Sequence, residues 1–341
     1  MRSLLIVALS FISCLSWGQS KDKKSQQEQV IAIALHGGAG NIKDRNLTKE
    51  DELAYQTIMD SAISFGYEQL KKGFASTEVV AQVVAILEDS PLFNAGKGSV
   101  FTNAETIEMD AAIMDGANLK CGAVTQIQKV KNPILLAKCV MEHSKIIFMS
   151  GSGAESFAKQ CNLTLVDPNY FRTEKRYQEL LRIKDSEKMK LDNDQGQLYS
   201  SPEEEKYGTV GCVALDLKGN LAAATSTGGL TNKKYNRIGD SPIIGAGTYA
   251  NNKTCAVSCT GRGEDFIRIV AAHQIHNYMN LGKMKLEDAC AELIKKDLKK
   301  INGRGGVISV SKKGEISFEY NTKGMFRASI DPKGNKFIGI Y

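Results

Sequence analysis

The chain has 341 residues, of which 42% are hydrophobic and 24% charged, with a formal net charge of +6. That is long enough for a large core and ordinary for a folded globular protein, so the totals argue against disorder and against a membrane-spanning body. Lysines are scattered and interleaved with acids, as around Asp297 between Lys295 and Lys300, which reads as a solvated face and gives no footprint for nucleic acid. At the start, Arg2, the mostly apolar Leu4 to Leu15, and the small residues Ser16 and Gly18 have the pattern of a signal peptide over residues 1–18, cleaved after Gly18. Its apolar run is shorter than the roughly 20 residues a spanning helix needs, so the expectation is an exported, periplasmic or secreted protein with no membrane attachment once the signal is removed. Of the eight cysteines, Cys14 leaves with the signal and an odd number remains; several stand in apolar runs, so buried free thiols are expected and no disulfide framework is inferred.

The first expected strand, Val30 to Leu35, stops at the glycine turn His36 to Gly40. A helix follows with Ala54, Ile58, Ala62 and Phe65 on one face, then a second capped by Thr77 and running through Val80, Val83, Val84 and Leu87. Ser99 to Gln128 reads as a meander of short strands, and Asn132-Pro133 opens a helix through Leu136 and Val140. From about 167 to 208 the chain turns polar and reads as a linker, with an exposed loop at Asn193 to Gly196. Regular structure resumes as a hairpin of Thr209 to Leu215 and Leu221 to Ser226 about Lys218-Gly219-Asn220. Two helices come after Gly263, one with Ile267, Val270, Ala271 and Ile275 on its face, the other with Leu286, Ala289, Leu293 and Ile294; four short strands close the chain. Helices gathered between groups of hairpin-like strands imply an α+β domain of stacked sheets with helices outside.

Several glycine runs, Gly37 to Gly40, Gly96-Lys97-Gly98, Gly151-Ser152-Gly153 and Gly245-Ala246-Gly247, lack the spacing and the downstream acid of a dinucleotide fingerprint. The four histidines offer no HExxH pattern; His273 and His276 share a helical face but have no cysteine pair beside them, and a serine triad has no GxSxG elbow. What carries chemistry is a series that begins where the polar linker meets a strand. It runs Tyr207-Gly208-Thr209-Val210-Gly211, Thr225-Ser226-Thr227-Gly228-Gly229, Arg237-Ile238-Gly239-Asp240-Ser241-Pro242, Gly245-Ala246-Gly247 and Thr260-Gly261-Arg262-Gly263-Glu264.

With His36 to Gly40, Leu87 to Gly96 and Met109 to Gly116, this series resembles the plant-type asparaginase and isoaspartyl peptidase family of N-terminal-nucleophile hydrolases, from about Ile31 to the last strands. Where family members often carry His-Gly before the nucleophile, this chain has Tyr207-Gly208. The resemblance implies a four-layer αββα sandwich. It also implies self-cleavage into an α subunit, residues 19–208, and a β subunit, residues 209–341, which together form one domain and assemble as a dimer of αβ units. Thr209 would be the nucleophile, Thr227 would orient its hydroxyl, and the Thr260 hydroxyl with the Gly261 N–H would form the oxyanion hole. Arg237 would hold the substrate's α-carboxylate and Asp240 its α-ammonium, with Asn94 in the wall of the site. Main-chain carbonyls of Leu87, Glu88, Ser90, Phe93, Ala95 and Lys97 would surround a structural sodium ion, with no cofactor needed for catalysis.

The residue types suit that chemistry. A threonine hydroxyl is a weak nucleophile, but cleavage before Thr209 frees an α-amine with a pKa of about 7.7 to 8.0, so the residue carries its own base. Asparagine and β-aspartyl dipeptides are the expected substrates. One alternative is glycosylasparaginase, against which Gly208 stands, since that branch usually carries Asp there; another is a non-catalytic exported binding protein that keeps the fold.

Overall fold

The computed structural model describes residues 30–192 and 208–341. The expected signal peptide, Tyr207 and the loop expected at Asn193 to Gly196 lie outside the described residues. The elements in order are β1 (Ala32–Ala39), α1 (Lys49–Lys71), α2 (Ser76–Glu88), β2 (Met109–Asp115), β3 (Cys121–Ile127), α3 (Pro133–His143), β4 (Phe148–Ser150), α4 (Gly151–Gln160) and α5 (Glu174–Asp192). After the undescribed stretch come β5 (Val210–Leu215), β6 (Leu221–Thr227), β7 (Thr248–Ala250), β8 (Cys255–Gly261), α6 (Gly263–Arg268), α7 (Ala271–Asn280) and α8 (Leu286–Ala291). The chain closes with β9 (Gly305–Ser311), β10 (Ile316–Tyr320), β11 (Met325–Ile330) and β12 (Lys336–Gly339).

The strands form an eight-stranded sheet, β12-β11-β1-β5-β6-β2-β3-β4, and a four-stranded sheet, β10-β9-β8-β7. Among the described strands, only the β3/β4 pair is parallel. Alternation along the central strands sorts the interior into two cores. Ile33, Leu35, Cys212, Ala222 and Ala224 face α1, α2 and α3, whereas Ala32, Ala34, Val213, Leu215 and Ala223 face the smaller sheet. The far side of that sheet is covered by α7 and α8. The fold is therefore mixed α+β, with the hairpin expected at 209–226 at its centre.

Several local expectations are corrected. Phe65 is partly exposed, and the buried stripe of α1 is instead Tyr55, Met59, Ala62, Ile63, Gly66 and Leu70. Thr77 lies inside α2; the free N–H of Ser76 is met at 2.9 Å by the Asp216 carboxylate from the β5–β6 turn, a cap that no local spacing reveals. Strands over Ser99 to Gln128 amount to β2 and β3, preceded by two isolated bridges, Phe101 with Ile107 and Thr102 with Lys233. The single helix expected through Val270 breaks there, with Val270 half-exposed in a left-handed conformation (φ 49°). Main-chain carbonyls of Gly245 and Ala246 accept from His273 and Ala272 N–H, so the Gly245-Ala246-Gly247 run supplies acceptors for the start of α7.

Much of the expected linker is helical: α5 buries Arg176, whose Nε donates to the Gly98 carbonyl at 2.8 Å and whose Nη1 pairs with Glu179 at 2.9 Å. Cys139 on α3 and Cys161 just after α4 form a disulfide, brought together by helices that pack side by side although 22 residues separate them in sequence. Cys121, Cys212, Cys255, Cys259 and Cys290 are free thiols. Closing a loop of that size constrains the unfolded chain, so Cys139→Ser is expected to lower unfolding free energy by about 3 kcal/mol, read as a lower urea midpoint with an equivalent shift on mild reduction of the unaltered protein.

Candidate active site

The β5/β6 register pairs Val210 with Ser226; one residue further it sets Thr209 opposite Thr227. Both side chains fall on the face that meets the smaller sheet, and both are buried. Thr209 Oγ1 donates to Thr227 Oγ1 at 3.3 Å, and Thr227 Oγ1 donates to the Gly208 carbonyl at 3.0 Å while accepting from the Gly229 N–H at 2.9 Å. Asn94 Nδ2 reaches the same Gly208 carbonyl at 2.9 Å and also donates to the Gly229 carbonyl at 2.7 Å; its Oδ1 accepts from Val100 N–H. Two donors thus converge on the carbonyl that precedes Thr209. Gly38 lies against the same peptide at a φ of 110°, where an added Cβ would stand 3.1 Å from the Gly208 Cα.

A narrow pocket joins Gly208, Thr209 and Thr227 to Arg237, Asp240 and Gly261. Thr260 faces the same inter-sheet space; its Oγ1 accepts from the Ala39 N–H at 3.2 Å, which leaves its proton free to donate elsewhere. Arg237 spends Nε and Nη2 on Glu264, each at 2.8 Å, which turns Nη1 towards Gly229 and Gly239. Burial opposes the Arg237 charge, but the Glu264 hydrogen bonds together with the negative charges of Glu264, Asp240 and Asp110 outweigh it and raise the pKa. Burial pushes the Asp240 carboxyl up to about 7 against the pull of Arg237, and its Oδ2 is buried with no hydrogen-bond partner among the described residues. A half-neutral acid and a fixed cation therefore share one wall of the pocket.

Two residues of this neighbourhood carry no sequence signal of their role. His36 is fully buried beneath Thr209, its Nδ1 2.9 Å from the Thr209 carbonyl, and burial drops its pKa to about 3 despite that hydrogen bond. Glu264 holds Arg237, as above; it ends the Thr260 to Glu264 motif, but nothing in the spacing says which cation it meets. The Asn94 loop is tied down by Arg176, whose Nη2 also approaches the Leu92 carbonyl at 3.4 Å. Leu87 and Glu88 end α2, and Ser90, Phe93, Ala95 and Lys97 lie in the turn after it, where the Ala95 carbonyl accepts from Gly98 N–H and the Leu87 carbonyl from Ser90 N–H. Glu88 points inward, accepting from Ser226 Oγ at 2.6 Å and from Ile134 N–H at 3.1 Å.

With the geometry in hand, comparisons with known proteins agree across the chain. The asparaginase family profile matches residues 29–340. The chain is 46% identical to the isoaspartyl peptidase of Escherichia coli (strain K12) over 309 residues, covering 91% of this chain and 95% of that protein. It is 46% identical over 322 residues to a putative isoaspartyl peptidase/L-asparaginase of Dictyostelium discoideum, covering 87% and 92%. Over 325 residues it is 40% identical to a probable isoaspartyl peptidase/L-asparaginase of Arabidopsis thaliana, covering 91% and 98%.

Glu88 supplies a direct check on this geometry. Burial raises its pKa to about 8, so between about pH 4 and that value the folded chain holds a proton that the unfolded chain releases. Stability therefore falls as pH rises through this window and levels off above it. Glu88→Gln, which mimics the protonated acid, is expected to flatten that slope in denaturant titrations repeated across the range; an unchanged slope would assign it to other groups.

Proposed function

The chain belongs to the asparaginase family, and on that premise we propose that it hydrolyses β-aspartyl (isoaspartyl) dipeptides and L-asparagine through Thr209. The observation that carries the reading is the Thr209 hydroxyl, paired with Thr227, in one pocket with Arg237 and Asp240. Sheets stacked face to face with helices on both outer sides support the finer description of the fold as a four-layer αββα sandwich of the N-terminal-nucleophile type.

Self-cleavage comes first. Thr209 Oγ1 attacks the Gly208 carbonyl carbon; the C–N bond breaks, the departing nitrogen takes a proton, and an ester links Gly208 to the Thr209 side chain. Water then adds to that ester, leaving a carboxylate on Gly208 and restoring the hydroxyl. Asn94 Nδ2 and Thr227 Oγ1 already donate to the oxygen on which negative charge develops, and such donors are worth about 2.7 to 4 kcal/mol each in a transition state. The products are an α subunit, residues 19–208, and a β subunit, residues 209–341.

In the hydrolase, the freed α-amine takes the Thr209 proton as Oγ1 attacks the substrate's side-chain amide. The amine returns the proton to the leaving ammonia, amino acid or peptide, and water releases aspartate from the β-aspartyl ester. Thr260 Oγ1, with its proton free, and the Gly261 N–H hold the oxyanion. Arg237 Nη1 takes the α-carboxylate and Asp240 Oδ2, which lacks a partner, takes the α-ammonium. No organic cofactor enters these steps.

The 87–98 turn supports a structural alkali ion held by main-chain carbonyls. A Cβ added at Gly98 would lie 2.0 Å from the Phe93 carbonyl oxygen and one at Gly96 2.3 Å from that of Glu88, so carbonyls crowd the two glycines. Its chemistry is confined to shaping the loop that carries Asn94. Assembly as a dimer of αβ units, and export through residues 1–18 to a periplasmic or secreted location, complete the proposal; sedimentation and N-terminal sequencing at Gln19 test them.

Intact-mass analysis after incubation at neutral pH should show a fragment beginning Thr209-Val210-Gly211-Cys212, and Thr209→Ala should stay a single inactive chain. Persistence of the unaltered chain in one piece would favour a non-catalytic binding protein, and faster turnover of a glycosylated asparagine than of a β-aspartyl dipeptide would favour glycosylasparaginase. Asp240 must be ionised to hold an ammonium, so KM for asparagine should fall as pH rises through about 7. Measured from about pH 5 to about pH 9, Asp240→Asn should raise KM and remove that dependence.

A further inference from the structure

A neutral imidazole has one donor and one acceptor nitrogen. The Thr209 carbonyl can only accept, so His36 Nδ1, 2.9 Å away, carries the proton. Nε2 is then a lone pair, to which Ser258 Oγ must donate at 2.9 Å. Having used its proton, Ser258 accepts at 2.7 Å from Thr225 Oγ1, which accepts in turn at 2.7 Å from Thr248 Oγ1. Thr248 also stands 3.0 Å from the Ser241 carbonyl, next to Asp240. Thr248 has a single proton, for which the Ser241 carbonyl competes with Thr225, so the one-way run of donors begins at Thr248 and points towards Thr209. All four side chains are fully buried, so each lost bond leaves an unpaired polar group. An independent observation lies two residues after Thr209: a Cβ at Gly211 would stand 2.0 Å from Ser258 Oγ and 2.5 Å from His36 Nε2. Glycine there leaves room for the hydrogen bond that crosses it.

We propose that His36 is a positioning residue for Thr209, its imidazole held in the Nδ1–H tautomer by the Ser258, Thr225 and Thr248 hydroxyls so that it grips the nucleophile's carbonyl. The inference rests on the reading of Thr209 as a nucleophile released by self-cleavage. A new chain terminus frays unless it is tied down. Once the bond to Gly208 is gone, the His36 grip keeps the Thr209 backbone, and with it the hydroxyl and the amine, in place. Burial of the ring keeps it neutral, which preserves the donor direction at every working pH.

Nitrogen-15 NMR of histidine-labelled protein reads the tautomer directly. One of the four histidines should show a neutral Nδ1–H ring that does not titrate down to about pH 5. That signal should vanish in His36→Asn, and in Ser258→Ala its Nε2 resonance should shift as that nitrogen loses its donor. In kinetics, His36→Leu should lower kcat roughly ten- to hundredfold with KM little changed, and His36→Asn, whose amide can replace Nδ1–H, should recover most of the loss. An Nε2–H ring, or ordinary titration of His36 in the unaltered protein, would overturn the proposal even if His36→Leu does not fold. Equal kcat in His36→Leu and the unaltered enzyme would overturn it too. A spectrum as expected from a chain that never cleaves and hydrolyses nothing would overturn the positioning role through the hydrolase reading, leaving the tautomer itself established.

Discussion

A polar seam runs between two sheets that otherwise meet through apolar side chains, and the need to pair the groups in it governs the surrounding structure. Ala32, Ala34 and Ala223 let the sheets approach, while His36, Thr209, Thr225, Thr227, Ser258 and Thr260 place hydroxyls and a ring in the same interior. A buried polar group left unpaired costs about 1 to 3 kcal/mol, so the rotamers and proton directions of the seam are held by its neighbours rather than by solvent. The reactivity proposed for Thr209 depends on this: its hydroxyl faces Thr227, and its carbonyl faces His36.

The same logic reaches outward to the pocket wall. Asn94 joins the Gly208 and Gly229 carbonyls across the top of β5 and β6, and its loop is braced from behind by Arg176 on α5. Glu264 holds the Nε and Nη2 edge of the Arg237 guanidinium and leaves Nη1 towards the pocket, while Asp240 stands buried with one oxygen unpaired among the described residues. Positive and negative ends are thereby set apart in the manner that an amino acid's head group requires.

Of the fold, the sequence by itself determined what depends on short-range pattern: the start of the first strand, though that strand runs on past His36 to Ala39, the 209–226 hairpin, the helix opening at Pro133 and the four closing strands, each marked by periodicity or turn residues. The candidate site was legible as a string of threonine, glycine, arginine and aspartate motifs because hydroxyl, cation and carboxylate chemistry needs particular residue types. Tertiary structure decided how the strings meet. The Cys139–Cys161 disulfide, the Asp216 cap on α2, the break at Val270, the helix within the expected linker, the Glu264 brace and the His36 grip all join residues that are distant in sequence or whose role depends on a distant partner. Such contacts follow from the sheet register and from which face each residue takes, and local propensity has no means of encoding either one.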